Sequence, residues 1–219
     1  MCRLRGANPR NREDMRVTVI DYKAGNLTSV LKALRHEGAE VELTDGDLAP
    51  IERAERIVLP GVGHFAATKR LDDTGITTAV RAATARGVPF LGICVGMQWL
   101  FSGSSEAPSQ PGLAAFPERC ERFPEGQEKV PHVGWNSLEI KPSSRLLKDI
   151  SNGEFVYFTH SFRAPIVADT AASAFYIESF TAAVERGNVF GTQFHPEKSG
   201  ATGLKILSNF LSLSAGEQA

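Results

Sequence analysis

Val88-Pro89-Phe90-Leu91-Gly92-Ile93-Cys94-Val95-Gly96-Met97-Gln98-Trp99-Leu100-Phe101 carries an apolar run into a glycine-flanked cysteine and out into residues of helical character. A short apolar run bounded by turn signals reads as a buried strand. Gly92 and Gly96 permit a sharp turn, so Gly92-Ile93-Cys94-Val95-Gly96 matches a nucleophile elbow with Cys in place of Ser, exposed above a sheet where strand meets helix. A thiol at that point also meets the positive end of the helix, which favours thiolate. On the elbow alone, a small packed core cysteine is an equal reading.

Working outward, residues 16–21 form a β-branched strand candidate. Asn26 caps an amphipathic helix carrying Leu27, Val30, Leu31 and Leu34, which Gly38 closes. Strands are predicted at 41–43 and 56–59, the second ending in Pro60-Gly61-Val62-Gly63, and a helix over 76–86 stopping at Gly87. Strands alternating with helices point to βαβ units and a largely parallel sheet. From 101 to 126 the pattern dissolves into Ser, Gly, Pro and charge, which predicts an extended surface loop able to carry binding groups. Strands at 155–158, 174–177 and 189–194 follow with less helix between them, so part of the sheet is expected to be antiparallel. A helix near 202–213 should pack Leu204, Leu207, Phe210 and Leu211 against the sheet. No repeat or linker divides the chain, which predicts one domain over 15–219. It is preceded by an Arg-rich extension, 1–14, read as a start-site artefact or a disordered basic tail.

With 219 residues, 42% hydrophobic, the chain can bury a full core. Twenty-four Lys and Arg against 25 Asp and Glu leave a net charge of −1, which disfavours nucleic-acid or membrane-surface binding by bulk charge. No apolar run approaches the ~18 residues of a membrane span, and residues 1–14 lack the apolar core of a secretory signal; cytoplasmic residence is expected. Cys2, Cys94 and Cys120 fit neither a disulfide framework nor a zinc site, so Cys2 and Cys120 read as non-catalytic thiols. His36 reads as a surface residue and His64 as bordering a site at most, while His132 and His160 could line a pocket or satisfy backbone groups. None of them has convincing metal-ligand spacing, and residues 21–26 hold too few glycines for a phosphate-binding fingerprint. No metal or cofactor is expected.

Phe194-His195-Pro196-Glu197 decides between the two readings of Cys94. In extended backbone residues i and i+2 project to one side, so Glu197 can orient one imidazole nitrogen of His195 and leave the other for Cys94, as a Cys-His-acid triad requires. Acyl transfer also needs donors for a developing oxyanion, and these are assigned to the Val95 N–H with an N–H of Val62 or Gly63. Taken alone, Pro60 to Gly63 would be an ordinary turn.

These segments resemble the class I (triad) glutamine amidotransferases. Gly92 to Gln98 is similar to the family's nucleophile segment, Gln193 to Glu197 to its His-Glu segment and Pro60 to Gly63 to its oxyanion strand, in the family's order. Within the family, Ile20-Asp21-Tyr22 with Gly25-Asn26, Val130 to Asn136, Tyr157 to Ser161 and His195 to Gly200 resemble the glutaminase subunits of imidazole glycerol phosphate synthases. The likeness covers residues 15 to 213. It departs from the usual pattern at Lys23, where Gly is common, at His64, where a small residue is common, and in the loop 107–111.

The resemblance implies an α/β, flavodoxin-like amidotransferase fold: a mixed, mainly parallel central sheet flanked by helices. It implies a catalytic Cys94, His195 and Glu197 acting on glutamine, with Gln98, Glu106 and the backbone around Ser161 and Phe162 binding the substrate. It further implies that ammonia passes to a separate cyclase subunit, a (β/α)8 barrel, in histidine biosynthesis, the two forming a heterodimer. Trp135, Asn136, Tyr157 and Lys198 would face that partner; Trp135 and Tyr157 could equally be core aromatics. The competing readings are a glutaminase subunit serving anthranilate, aminodeoxychorismate, pyridoxal phosphate or nucleotide synthesis, a free-standing cysteine hydrolase of γ-glutamyl peptides, and a catalytically silent partner-binding module.

Overall fold

The computed structural model describes residues 15–23, 27–126 and 128–216. The expectations for residues 1–14 and for the cap at Asn26 lie outside the described residues. In chain order the elements are β1 (Arg16–Ile20), α1 (Leu27–His36), β2 (Glu40–Thr44), α2 (Ala49–Glu52), β3 (Ile57–Gly61), α3 (Lys69–Asp73), α4 (Ile76–Ala85), β4 (Phe90–Cys94) and α5 (Val95–Leu100). Then follow β5 (Glu121–Arg122), β6 (His132–Ser137), β7 (Glu139–Ile140), β8 (Phe155–His160), β9 (Phe162–Arg163), β10 (Thr170–Tyr176), β11 (Glu178–Arg186), β12 (Val189–Thr192) and α6 (Gly200–Ser212).

Eight strands form one sheet in the order β2-β1-β3-β4-β12-β11-β10-β7. From β2 to β12 neighbours run parallel; from β12 to β7 they run antiparallel. The change of direction follows from the connections, since the early strands are joined through helices while β10 to β11 and β11 to β12 are joined by tight turns. Every residue of β3 and β4 is buried, as central strands covered on both faces must be. Helix α1 turns Val30, Ala33 and Leu34 inward at helical spacing and contacts α6, whose Ile206, Leu207, Phe210 and Leu211 are buried. Helix α4 packs with α2 and α3. Two antiparallel ribbons, β5–β9 and β6–β8, stand apart from the large sheet.

Lys23 has φ 63°. Its N–H donates to Asp21 Oδ1 at 2.8 Å and its ammonium bridges Asp21 and Asp45, which holds a left-handed backbone that glycine would adopt freely.

The expected surface loop over 101–126 is corrected by the structure. Phe101, Leu113, Phe116, Cys120 and Phe123 are buried, and isolated bridges Phe101 to Phe116, Gly103 to Pro111 and Ser104 to Cys120 cross-link the segment. Its apolar residues are dispersed without helical or strand period, so they give no periodic signal, yet each fills a separate gap in the core. Strands β5, β6, β7, β9 and β11 also lie outside the strands expected from the sequence. Phe180 to Val184 of β11 are all buried, Thr181 among them, so the strand lacks the polar alternation that marks a half-exposed one.

Candidate active site

Cys94 is the last residue of β4 and sits at φ 55°, ψ −109°, a backbone conformation that disfavours any residue with a β-carbon. Packing over-determines it. A Cβ on Gly96 would lie 2.0 Å from the Leu59 carbonyl oxygen, and one on Gly92 would lie 2.4 Å from the Gly96 carbonyl oxygen. The first turn of α5 therefore rests directly on β3 and β4, and strain of about 1–3 kcal/mol at the cysteine is retained because the chain has no room to relax. Gly61 pairs with Cys94 in the sheet, which delivers the following Val62 and Gly63 beside the elbow.

His195 follows β12 and is buried, its Nδ1 2.8 Å from Glu197 Oε1. The route to that contact differs from expectation. Pro196–Lys198 forms a 3-10 turn, so Glu197 folds back to His195 instead of projecting beside it along an extended strand. Backbone bonds lock the turn to β8: the His195 N–H donates to Tyr157 O at 2.9 Å, while Ser199 Oγ donates to His195 O at 2.7 Å and accepts from the Tyr157 N–H at 3.0 Å. His195 Nε2 and Glu197 Oε2 are buried with no hydrogen-bond partner among the described residues. Burial opposes a charge on His195, but Cys94 and Glu197 outweigh it and push the imidazole up to about 10.

A cavity of about 260 Å³ opens above Cys94, lined by Val62, Gly63, Val95, Gln98, Glu106, Ser161 and Phe162 together with Pro131, Thr159 and His160. The residues assigned to the oxyanion site and to the substrate thus share one chamber with the thiol. Glu106 is held by the Phe65 N–H, 2.7 Å from Oε2. Gln98 Nε2 donates to Phe162 O at 2.9 Å and to Gln193 Oε1 at 3.1 Å. The pocket thereby presents a fixed carboxylate and backbone polar groups, a set suited to the charged end of an amino acid. No group of three or more His, Cys, Asp or Glu side chains among the described residues could hold a metal ion.

Two side chains at this site, Tyr22 and Gln193, carry no role in the sequence reading, whereas His160 lines the cavity and bonds a backbone carbonyl as that reading allows. Tyr22 is buried with its hydroxyl unpartnered, and a Cβ on Gly61 would come within 2.4 Å of that oxygen. Burial first, and then the charge of Cys94, push its phenol well above the usual range. Gln193 is fully buried and its Nε2 lies 3.6 Å from Cys94 Sγ. Its one sequence signal is a large amide within an otherwise apolar strand run. His160 donates from Nδ1 to Phe162 O at 2.9 Å, since a carbonyl can only accept, and its Nε2 meets His132 Nδ1 at 3.0 Å. Burial lowers both, His132 to about 4 and His160 to about 3. Of the remaining histidines, His36 is exposed, and His64, also exposed, accepts the Ala66 N–H at 3.1 Å.

The four residues assigned to a partner face are divided by strand alternation. In β6–β8 the register pairs Trp135 with Tyr157, whose rings meet edge-on at 6.2 Å, and Lys198 Nζ lies 5.8 Å from the Tyr157 ring centre. Trp135 is 55% exposed, with Val133 and Phe155 exposed on the same outer side. Asn136, one residue on, takes the opposite face: its Nδ2 donates to Phe175 O at 2.8 Å and approaches His132 Nε2 at 3.4 Å. The structure gathers Trp135, Tyr157 and Lys198 and places Asn136 beneath them.

Comparison with known proteins adds family context. Residues 18–213 match the family model described as glutamine amidotransferase class-I. The chain is 46% identical to the imidazole glycerol phosphate synthase subunit HisH of Methanosarcina acetivorans over 205 residues, covering 90% of this chain and 98% of that one. It is 43% identical to the subunit of the same name from Deinococcus radiodurans, covering 89% and 92%. A solved glutamine amidotransferase superposes with a TM-score of 0.70 at 19% identity, covering 90% of this chain and 99% of the other, a likeness of fold.

Proposed function

The chain belongs to the class I glutamine amidotransferase family, and from that premise we propose that Cys94, His195 and Glu197 hydrolyse the side-chain amide of glutamine. The chain is the glutaminase subunit of imidazole glycerol phosphate synthase and serves histidine biosynthesis. The observation that carries the catalytic reading is the buried His195–Glu197 pair, 2.8 Å apart, whose imidazole is held toward its charged form by the strained Cys94 that lines the cavity.

Glutamine enters with its α-ammonium toward Glu106 and toward the Gln98 amide oxygen, left to accept because the Gln98 NH2 is spent on Phe162 O and Gln193 Oε1. Its α-carboxylate turns toward the backbone N–H groups at Ser161 and Phe162. Cys94 Sγ attacks the side-chain carbonyl carbon. The oxygen takes up negative charge and is stabilised by the N–H groups of Val95 and of Val62 or Gly63. His195, oriented by Glu197, gives its proton to the departing nitrogen, which leaves as ammonia, and a glutamyl thioester remains. Water, giving its proton to His195, then attacks the thioester and releases glutamate, which restores the Cys94 thiolate beside a protonated His195, so that glutamine and water become glutamate and ammonia.

As a subunit, the chain works with a second protein. The cyclase, a (β/α)8 barrel, would dock on the outer side of β6–β8 around Trp135, Tyr157 and Lys198, with Asn136 bracing that ribbon from below. Thr159, on the same ribbon, lines the glutamine cavity, which supports a short path for ammonia away from water that would protonate it. Residues 15–219 would form the single catalytic domain, and the cytoplasm is the proposed compartment. No helix among the described residues is long and apolar enough to cross a membrane.

The test is paired synthesis assays with the cyclase. Cys94→Ala should abolish glutamine-dependent synthesis and leave ammonium-dependent synthesis intact. Retention of glutamine-dependent synthesis by that variant refutes the nucleophile.

A further inference from the structure

Gln193 lies between β12 and the His-Pro-Glu turn with both ends of its amide committed. The polarity of those contacts is set from outside the residue. Phe162 O can only accept, so the Gln98 group 2.9 Å away is its NH2; the same nitrogen also reaches Gln193 at 3.1 Å, which must therefore present its oxygen there. The orientation of Gln193 follows: its own NH2 points at Cys94 Sγ, 3.6 Å distant and buried. Thr159 O lies 3.9 Å from the sulfur, a contact that a thiol can satisfy by donating and a thiolate cannot.

We propose that Gln193 is a further catalytic residue, the donor that stabilises the thiolate of Cys94 in the resting enzyme and holds its sulfur toward the glutamine cavity. The proposal rests on the glutaminase reading of the site. Hydrogen bonds strengthen when the acceptor carries charge, so the Gln193 bond favours the anion over the thiol, whereas the Thr159 carbonyl favours the thiol. Gln98 has two functions in this arrangement: it lines the substrate pocket, and it locks the amide that faces the nucleophile. The other ionisable groups around the sulfur are His195 with Glu197 after β12, Tyr22 after β1, His160 on β8 and Glu106 across the cavity. His195 contributes a positive charge that depends on its protonation, whereas Gln193 adds a neutral donor whose polarity does not change with pH.

The test uses the full chain without glutamine or partner, so it reads independently of whether Cys94→Ala upholds the glutaminase reading. The rate of Cys94 alkylation by iodoacetamide is followed against pH, with the modified peptide identified by mass spectrometry. Gln193→Met, similar in shape and without a donor, should move the midpoint upward by about one pH unit and slow alkylation at pH 7 by about tenfold. Gln193→Glu, which turns an acceptor toward the sulfur, should move it further. A packing role would not produce that order, and a folded Met variant with an unchanged profile overturns the proposal. In the unaltered chain, the 15N-labelled side-chain amide of Gln193 should titrate with the same midpoint as alkylation and lose that titration in Cys94→Ala. An amide signal indifferent to the thiol overturns the proposal even if neither substitution yields folded protein.

Discussion

The elbow formed by β4 and α5 and the ribbon formed by β6 and β8 solve opposite problems. At the elbow every residue of the strand and helix is buried, and glycines bring backbone against backbone until the cysteine is forced to φ 55°. In the ribbon, strict alternation buries Val156, Phe158 and His160 while Val133, Trp135 and Phe155 stay exposed. The contrast extends to protons. The histidine serving the elbow, His195, is held toward its charged form by Cys94 and Glu197, whereas His132 and His160 under the ribbon are held neutral by burial. Chemistry occupies the region that cannot move, and docking is proposed for the region left half covered.

The largest expected effect comes from Glu197→Gln, which keeps the shape of the contact while withdrawing the charge and the tautomer preference. It should lower glutamine-dependent kcat by about a thousandfold with little change in KM, as steady-state assays with the partner would show. Gly96→Ala follows: with no space beside Leu59 O, it should cost about 3 kcal/mol in urea unfolding, and an unaffected midpoint would mean that the elbow is softer than its geometry indicates.

The two regions should also fail at opposite ends of the pH scale. A group raised in the folded state lends stability that is complete below its ordinary pKa of about 6.5 and is lost as pH climbs through the folded value, here about 10. Groups lowered in the folded state lend stability that is present above about 6.5 and is lost as pH falls toward about 4 and 3, the values for His132 and His160. Denaturation midpoints measured across pH should therefore fall on the alkaline side in a manner that His195→Asn abolishes, and on the acid side in a manner that a His132→Asn, His160→Asn double variant blunts. The smallest effect belongs to Trp135→Ala. It should change the stability of the isolated chain by under about 0.5 kcal/mol, yet weaken partner binding by about 2 kcal/mol in calorimetric titration. Equal losses in both would mean that Trp135 supports the folding of the ribbon and not a partner face.

Much of the elbow half was legible because its signals are local. Gly92, Cys94 and Gly96 lie within five consecutive residues, and the run before them is apolar without interruption. The ribbon half was legible only in part. Residues 155–158 read as a strand, but β6 carries His132, Gly134 and Asn136 on one face, which resembles neither a core strand nor a polar exterior. The segment 101–126 was misread for a related reason: Phe101, Phe116 and Phe123 are buried one at a time by partners distant in the chain. The His195–Glu197 contact was expected correctly on the wrong geometry, since a proline at 196 permits a turn as readily as an extended link.

Covalent neighbours set what could be read from order alone: the glycine-framed nucleophile, the His-Pro-Glu step, the alternation of strands and helices, and the family they jointly mark. Tertiary structure alone decided which way each amide points, because the direction of a hydrogen bond is set by the group at its far end. Phe162 O orients Gln98, Gln98 orients Gln193, and Gln193 faces the sulfur, a chain of contacts spanning residues 94 to 193.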